Sequence, residues 1–196
     1  MRSKEGEEDY CLTMPGLFNV ENALAVIAAA KILHIPDSCI HSGLLRARSS
    51  GRMELYASKD KKIIAIVDYA HNKLSFEKLF SSIREEYPDY AIKQSLAVRE
   101  RRPISAERIW GLLPDSTHRR CTCRGGSGYE PVEEISGDIA QYVQAQNCPY
   151  VMIEDRGEAI RTAIEESEDR TVILVTGKGN ETRQKYGSEY ITVRQM

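Results

Sequence analysis

The chain has 196 residues, 41% hydrophobic and 29% charged, with a formal net charge of −2. That length suits one medium domain, or one domain with part of another. The near-neutral balance excludes a protein whose main work is neutralising nucleic-acid phosphates, and no run of about 18 apolar residues marks a membrane span. The acidic start Met1–Asp9 lacks the basic and apolar regions of a secretory signal. Five cysteines, scattered along the chain, point to reduced thiols in a cytoplasmic protein. Cys121 and Cys123 form C-x-C, but no second Cys/His pair follows, which argues against structural zinc.

Residues 1–14 read as a truncated or tag-like start with room for one short strand. Asn19 is a candidate helix N-cap, with Glu21 and Asn22 in the first turn. Ala23–Leu33 is apolar on most faces, the pattern of a helix covered on both sides. His34-Ile35-Pro36 ends it. A second helix is expected over Asp37–Leu45, then a polar linker over Arg46–Gly51. Two strands, Met53–Ser58 and Lys61–Val67, flank a turn at Lys59-Asp60. Leu74–Glu86 is an amphipathic helix, and Tyr90–Ile92 opens the next strand. Further on come a helix at Pro131–Ala145, a strand at Val151–Ile153, a helix at Arg156–Glu166 and a strand at Thr171–Thr176. A loop, Gly177–Gly187, and a short strand, Glu189–Val193, close the pattern. Strand and helix alternate at this spacing in an α/β fold, a Rossmann-like, mainly parallel sheet with flanking helices. The expected division is a helical segment, residues 1–51, and an α/β domain, residues 52–196.

Residues 93–128 break the regularity. They are rich in arginine, contain both halves of C-x-C, and offer no clear strand. A basic nucleic-acid loop is disfavoured, because aromatic interleaving is confined to Trp110. A disordered insertion or a locally shifted reading frame would each produce such a break.

Chemistry concentrates in V-D-Y-A-H-N (Val67–Asn72), where a carboxylate, an imidazole and an amide follow a strand at the edge where α/β folds bind ligands. Three further runs accompany it in order: F-N-V-E-N-A-L-A (Phe18–Ala25), G-R-M-E (Gly51–Glu54) and T-G-K-G-N-E-T-R-Q-K (Thr176–Lys185). Together they resemble the back half of the Mur ligases, above all those that add the third amino acid to a UDP-N-acetylmuramoyl dipeptide. The resemblance covers about residues 12–92 and 129–193 and is lost across 93–128.

The resemblance implies a Mur ligase C-terminal domain preceded by a helical fragment of the central ATP-binding domain. It implies ATP with Mg2+ as cofactor of the full-length parent, none of it expected to bind tightly to this chain, and nucleotide, amino acid and UDP-sugar-peptide as the parent's partners. Such enzymes activate a carboxylate as an acyl phosphate and let an amine attack it, so the protein must hold ATP and neutralise phosphate charge. Asn19 and Asn22, three residues apart on one helix face, become adenine-side candidates, although Asn19 is equally readable as a cap. Arg52, a fixed cationic fork, suits a phosphate. Asp68 suits ribose hydroxyls, and His71 could orient Asp68, meet the nucleotide or cap the next helix. Asn72 and Ser75 are as readily helix-start residues as ligand contacts. Gly177 and Glu181 match positions that hold the incoming amino acid, and Glu181 could pair with an ammonium. The run Glu181–Lys185 looks more like lysine-adding than diaminopimelate-adding members. By the same resemblance the phosphate loop, the magnesium ligands and the UDP-sugar domain belong upstream of residue 1, so the isolated chain is expected to be inactive. The Ala-rich helix is then expected to be exposed, docked on the second domain, or covered by a second copy in a dimer. The competing readings are a related ligase of the folylpolyglutamate or cyanophycin synthetase type and a non-catalytic binding module with the same fold.

Overall fold

A computed structural model of the chain describes residues 2–3, 6–99, 121–126, 137, 140, 144, 149–153, 155–181, 183–186 and 189–192. The chain divides into two compact units, Met1–Ser49 and Ser50–Met196.

In the first unit, β1 (Arg2–Ser3) and β2 (Gly6–Glu7) form a short antiparallel ladder ahead of α1 (Leu17–Ile32) and α2 (Asp37–Arg46). Ala23, Ile27 and Ala30 recur at helical spacing and bury against Ile40 and Leu44 of α2, with Tyr10 and Leu12 packed alongside. Lys31, in the last turn of α1, ties Glu8 to Asp37 at the start of α2, with Lys31 Nζ 3.1 Å from Asp37 Oδ1. The expectation of burial on both sides is met on one side only. Leu17, Val20, Leu24, Val26, Ile32 and Leu33 are exposed in this chain. Nor does Asn19 cap the helix. α1 starts two residues earlier, after Gly16 at φ 94°, and Asn19 lies inside its first turn.

The second unit is built on a six-stranded sheet in the order β3-β4-β8-β5-β6-β7. Its strands are β3 (Glu54–Ala57), β4 (Ile63–Val67), β5 (Ala91–Arg99), β6 (Cys121–Gly126), β7 (Tyr150–Met152) and β8 (Thr171–Thr176). Only β3, at the edge, runs antiparallel. α3 (Lys73–Glu86) follows β4, and α4 (Arg156–Glu165) follows β7. Gly137, Ala140 and Gln144, the described residues of the helix expected at 131–145, are helical. β9 (Arg183–Tyr186) and β10 (Glu189–Thr192) form a separate hairpin, so a strand begins inside the loop expected at 177–187.

Every side chain of β8 is buried, as befits a central parallel strand covered on both faces. Ile173 and Val175 pack with Ile63, Ala65 and Val67 of β4 against Ile160 and Ala163 of α4. The alternate positions Ile64, Ile66, Val172 and Leu174 are buried on the opposite face. The crossovers β4–α3–β5 and β7–α4–β8 traverse the sheet in opposite directions, so right-handedness puts α3 and α4 on opposite faces.

The stretch 93–128 needs correction at both ends. β5 continues through it to Arg99, and β6 pairs in parallel with β5 from Gln94↔Cys121 to Arg99↔Gly126. Cys121-Thr-Cys-Arg-Gly-Gly lacks a strand's alternating pattern, but between two neighbours the ladder supplies the order that side chains do not. Residues 100–120 lie outside the described part.

Candidate functional site

Parallel strands deliver their following residues to one sheet edge, and β4 and β8 are adjacent there, with Val67 opposite Val175. Asp68 is the first residue past β4 and is only 7% exposed. Its own N–H donates to Val175 O at 3.0 Å. Its carboxylate takes two backbone donors, Met53 N–H on Oδ2 at 2.9 Å and Ala70 N–H on Oδ1 at 2.7 Å. Burial pushes the carboxyl above its usual range, although both amide bonds, Arg52 and His71 pull the other way. Asp68 thus clamps the turn that begins the domain to the end of β4.

That turn, Gly51–Met53, is contorted. Gly51 (φ 68°) and Met53 (φ 47°) both occupy the left-handed region, which costs a non-glycine residue free energy. Glu54 holds the other end, accepting from Gly51 N–H at 2.8 Å and from the Tyr56 hydroxyl at 2.7 Å. These bonds keep the Glu54 carboxyl below its usual range. Between the two buried anchors, Gly51 and Met53, the side chain of Arg52 projects outward and is exposed. Its guanidinium carbon lies 4.7 Å from the centre of the Tyr69 ring.

Tyr69 is the hub that sequence reasoning missed. Its hydroxyl donates to Glu181 Oε1 at 2.9 Å, and its ring meets the His71 ring edge-on at 5.0 Å. His71 Nδ1 lies 2.8 Å from Tyr69 O, a carbonyl that can only accept, so Nδ1 carries a proton and Nε2 is left for other partners. Asn72 is settled as a cap. Its Oδ1 accepts from Ser75 N–H at 3.0 Å, and Ser75 Oγ accepts from Asn72 N–H at 3.1 Å, a reciprocal pair that opens α3.

The loop after β8 passes close to the Gly51 turn. A Cβ on Gly51 would meet Asn180 N at 2.4 Å, and one on Gly179 (φ 50°) would meet Gly51 O at 2.8 Å. Only paired glycines allow two backbones this near. Gly177 leaves β8 at φ 96°, Lys178 is buried, and Glu181 N–H closes a turn onto Lys178 O at 3.0 Å. On the α4 side lies a cleft of about 440 Å3, walled by Glu54, Tyr56 and α4. Buried Arg156, one of its wall residues, donates to Gly179 O at 3.0 Å and ties the loop to α4.

Arg52, Asp68, His71, Gly177 and Glu181 therefore gather within the second unit. Asn19 and Asn22 lie on α1 in the first. Asn19 is buried and donates through Nδ2 to Pro15 O at 2.6 Å, while Asn22 is exposed and reaches Asn19 Oδ1 at 3.4 Å. Of these two, only Asn22 is exposed. Among the described residues, no three His, Cys, Asp or Glu side chains converge as a metal site would require, so none is assigned to Mg2+. No helix among them is long and apolar enough to cross a membrane.

The glycine turn and the aspartate clamp both fall within a stretch that one family model matches. The model of the Mur ligase, glutamate ligase domain, matches residues 51–179, and the chain belongs to the Mur ligase family. Its relatives fit. It is 31% identical over 197 residues to the UDP-N-acetylmuramoyl-L-alanyl-D-glutamate--2,6-diaminopimelate ligase of Caldanaerobacter subterraneus subsp. tengcongensis, covering 96% of this chain and 39% of that protein. It is 28% identical over 196 residues to the UDP-N-acetylmuramyl-tripeptide synthetase of Lactobacillus delbrueckii subsp. bulgaricus, covering 96% and 38%. These matches run through residues 93–128, where the motif-level resemblance is lost. The fold is shared with folylpolyglutamate synthase of Mycobacterium tuberculosis, solved with ADP and AMPPCP, at a TM-score of 0.67 and 19% identity over 87% of this chain and 39% of that one. The chain spans about two fifths of the length of the curated relatives it matches.

Proposed function

We propose that this chain provides the C-terminal ligase domain, and part of the nucleotide site, of an ATP-dependent enzyme that joins the third amino acid to a UDP-N-acetylmuramoyl dipeptide. Residues 1–51 belong, on this reading, to the central ATP-binding domain, and 52–196 to the C-terminal domain. The observation that carries the proposal is the gathering of Arg52, Asp68, His71 and Glu181 around Tyr69 at the carboxyl edge of β4 and β8. A guanidinium held outward on a rigid turn can neutralise charge on a phosphate. His71 Nε2, with the Nδ1 proton committed to a carbonyl, can accept a hydrogen bond from a nucleotide. Asp68 already serves two amides, and each carboxylate oxygen keeps a second acceptor direction for a ribose hydroxyl. Glu181, half-buried beside Gly177, pairs with an ammonium of the incoming amino acid. ATP, loaded with Mg2+, supplies the phosphoryl group that activates the acceptor carboxylate. The chain's own residues then hold phosphate charge and place the amine for attack.

The amino acid is one with a second amine. L-Lysine is favoured by the run Glu181–Lys185, whereas the 31% identical relative is a diaminopimelate ligase. Calorimetric titration of the chain with AMPPNP, L-lysine and meso-diaminopimelate tests the reading. We expect nucleotide binding weakened by R52M, and binding of one diamino acid weakened by E181Q. A chain whose nucleotide and amino-acid binding is unaffected by R52M and E181Q, or that binds neither ligand even at millimolar concentration, would refute it and favour the non-catalytic alternative.

A further inference from the structure

We propose that Tyr69 is a positioning residue that couples the nucleotide-facing Arg52 to the amino-acid-facing Glu181. The inference rests on the functional reading above and goes beyond it, since neither ligand group alone requires the tyrosine. One side chain touches both. Its ring face carries the Arg52 guanidinium, and its hydroxyl donates to Glu181 Oε1. The ring is also fixed in place. Gly179 passes beneath it, with a virtual Cβ only 3.2 Å from Cδ2, and the His71 ring meets it edge-on. A phenol held this tightly cannot reorient for one partner without affecting the other.

The coupling has a physical sign. Donation of the hydroxyl to a carboxylate enriches the ring in electron density, which strengthens its attraction for a guanidinium on its face. An ammonium arriving at Glu181 draws carboxylate charge away from the phenol and loosens the stack. Arg52 is then freer to leave the ring for a phosphate. Amino acid and nucleotide should therefore tighten one another's binding, and by linkage to the same factor in both directions. Tyr69 itself contacts neither reacting atom.

The test measures the Kd of AMPPNP with and without saturating L-lysine (or meso-diaminopimelate, whichever binds) for the wild-type chain, Y69F and Y69L. The wild type should show mutual tightening of about fivefold, the lower end of common coupling factors. Y69F keeps the ring and loses the hydroxyl's link to Glu181, so coupling should vanish and AMPPNP alone should bind as it does to the lysine-saturated wild type, about fivefold tighter. Y69L removes the ring as well and should shift the AMPPNP Kd even without amino acid. A merely structural tyrosine would weaken both ligands in Y69F and leave their coupling intact, and that result overturns the proposal. A ligand-free arm separates this failure from that of the functional reading. The Tyr69 ζ-carbon resonance should move in E181Q, and the Arg52 side-chain protons should lose their ring-current shift in Y69L. If those signals respond but the wild type binds no ligand, the functional reading fails and the positioning role with it. If the ligands bind and the signals are unmoved, the positioning role alone is refuted.

Discussion

Replacing Asp68 with asparagine tests the clamp on which the site geometry depends. The carboxylate now accepts Met53 N–H at 2.9 Å and Ala70 N–H at 2.7 Å. Asparagine keeps one acceptor oxygen and turns an NH2 group toward the other amide, so one buried N–H loses its partner. That loss costs about 1–3 kcal/mol, and weakening the remaining bond from charged to neutral costs about 1 kcal/mol. Relief of burying a charge offsets part of this, because burial is the largest influence on the Asp68 carboxyl. We expect a net destabilisation of about 2 kcal/mol at pH 7 in urea unfolding, with faster hydrogen exchange at the Met53 amide. The pH dependence follows from the direction of the shift. A carboxyl raised above its unfolded value contributes its stability fully below that value and loses it as pH rises through the folded one. The gap between wild type and D68N should therefore widen on acidification from pH 7. A variant within about 0.5 kcal/mol of wild type, with Met53 exchange unchanged, would refute the clamp.

E54Q should behave in the opposite way. The Glu54 carboxyl lies below its usual range, so the stability it adds is present at neutral pH and lost as pH falls through its folded value, and the gap between wild type and E54Q should narrow in acid. G51A places a methyl 2.4 Å from Asn180 N at a φ of 68°, and should destabilise by more than the roughly 1–2 kcal/mol of left-handed strain alone. Thermal unfolding measures that cost, and a Tm unchanged from wild type would mean the two loops do not meet. N72A removes the α3 cap and should cost about 1 kcal/mol without altering AMPPNP affinity. A nucleotide defect in N72A would move Asn72 from the helix start into the ligand site.

Local patterns made much of the fold readable. Thr171–Thr176, a run of β-branched and apolar residues, is the fully buried central strand its composition suggests. α3 begins within a residue of its expected start, because Asn72 and Ser75 carry their cap in their own side chains. What failed depends on partners distant in sequence. β6 is ordered by its neighbours on the sheet, so Cys121–Gly126 carries no signal of its own. β9, Arg183–Tyr186, is polar and, among the described residues, pairs with β10 alone. Asn19 looked like a cap because its residue type suits one, whereas the helix begins at Leu17 after a glycine in a positive-φ conformation. In the site, V-D-Y-A-H-N and G-R-M-E drew attention as chemistry-bearing runs. That Asp68 reaches back to Met53, and that Tyr69 stands between Arg52 and Glu181, required the sheet to bring those runs together.

The sheet order has a consequence for how the protein emerges from the ribosome. β4 and β5 are close in sequence, yet the strand between them, β8, is translated about 70 residues after β5 ends, an interval of several seconds at common elongation rates. Until then the growing chain holds an open slot, with the edges of β4 and β5 unpaired and Ile64, Ile66 and Ile92 lacking their central neighbours. Asp68 cannot complete its bond to Val175, nor can the Gly51 turn meet Gly179, before β8 arrives. Nascent chains stalled before Thr171 should accordingly be protease-sensitive across β4 and β5, and release of the last segment should close the sheet and build the ligand site in a single late step.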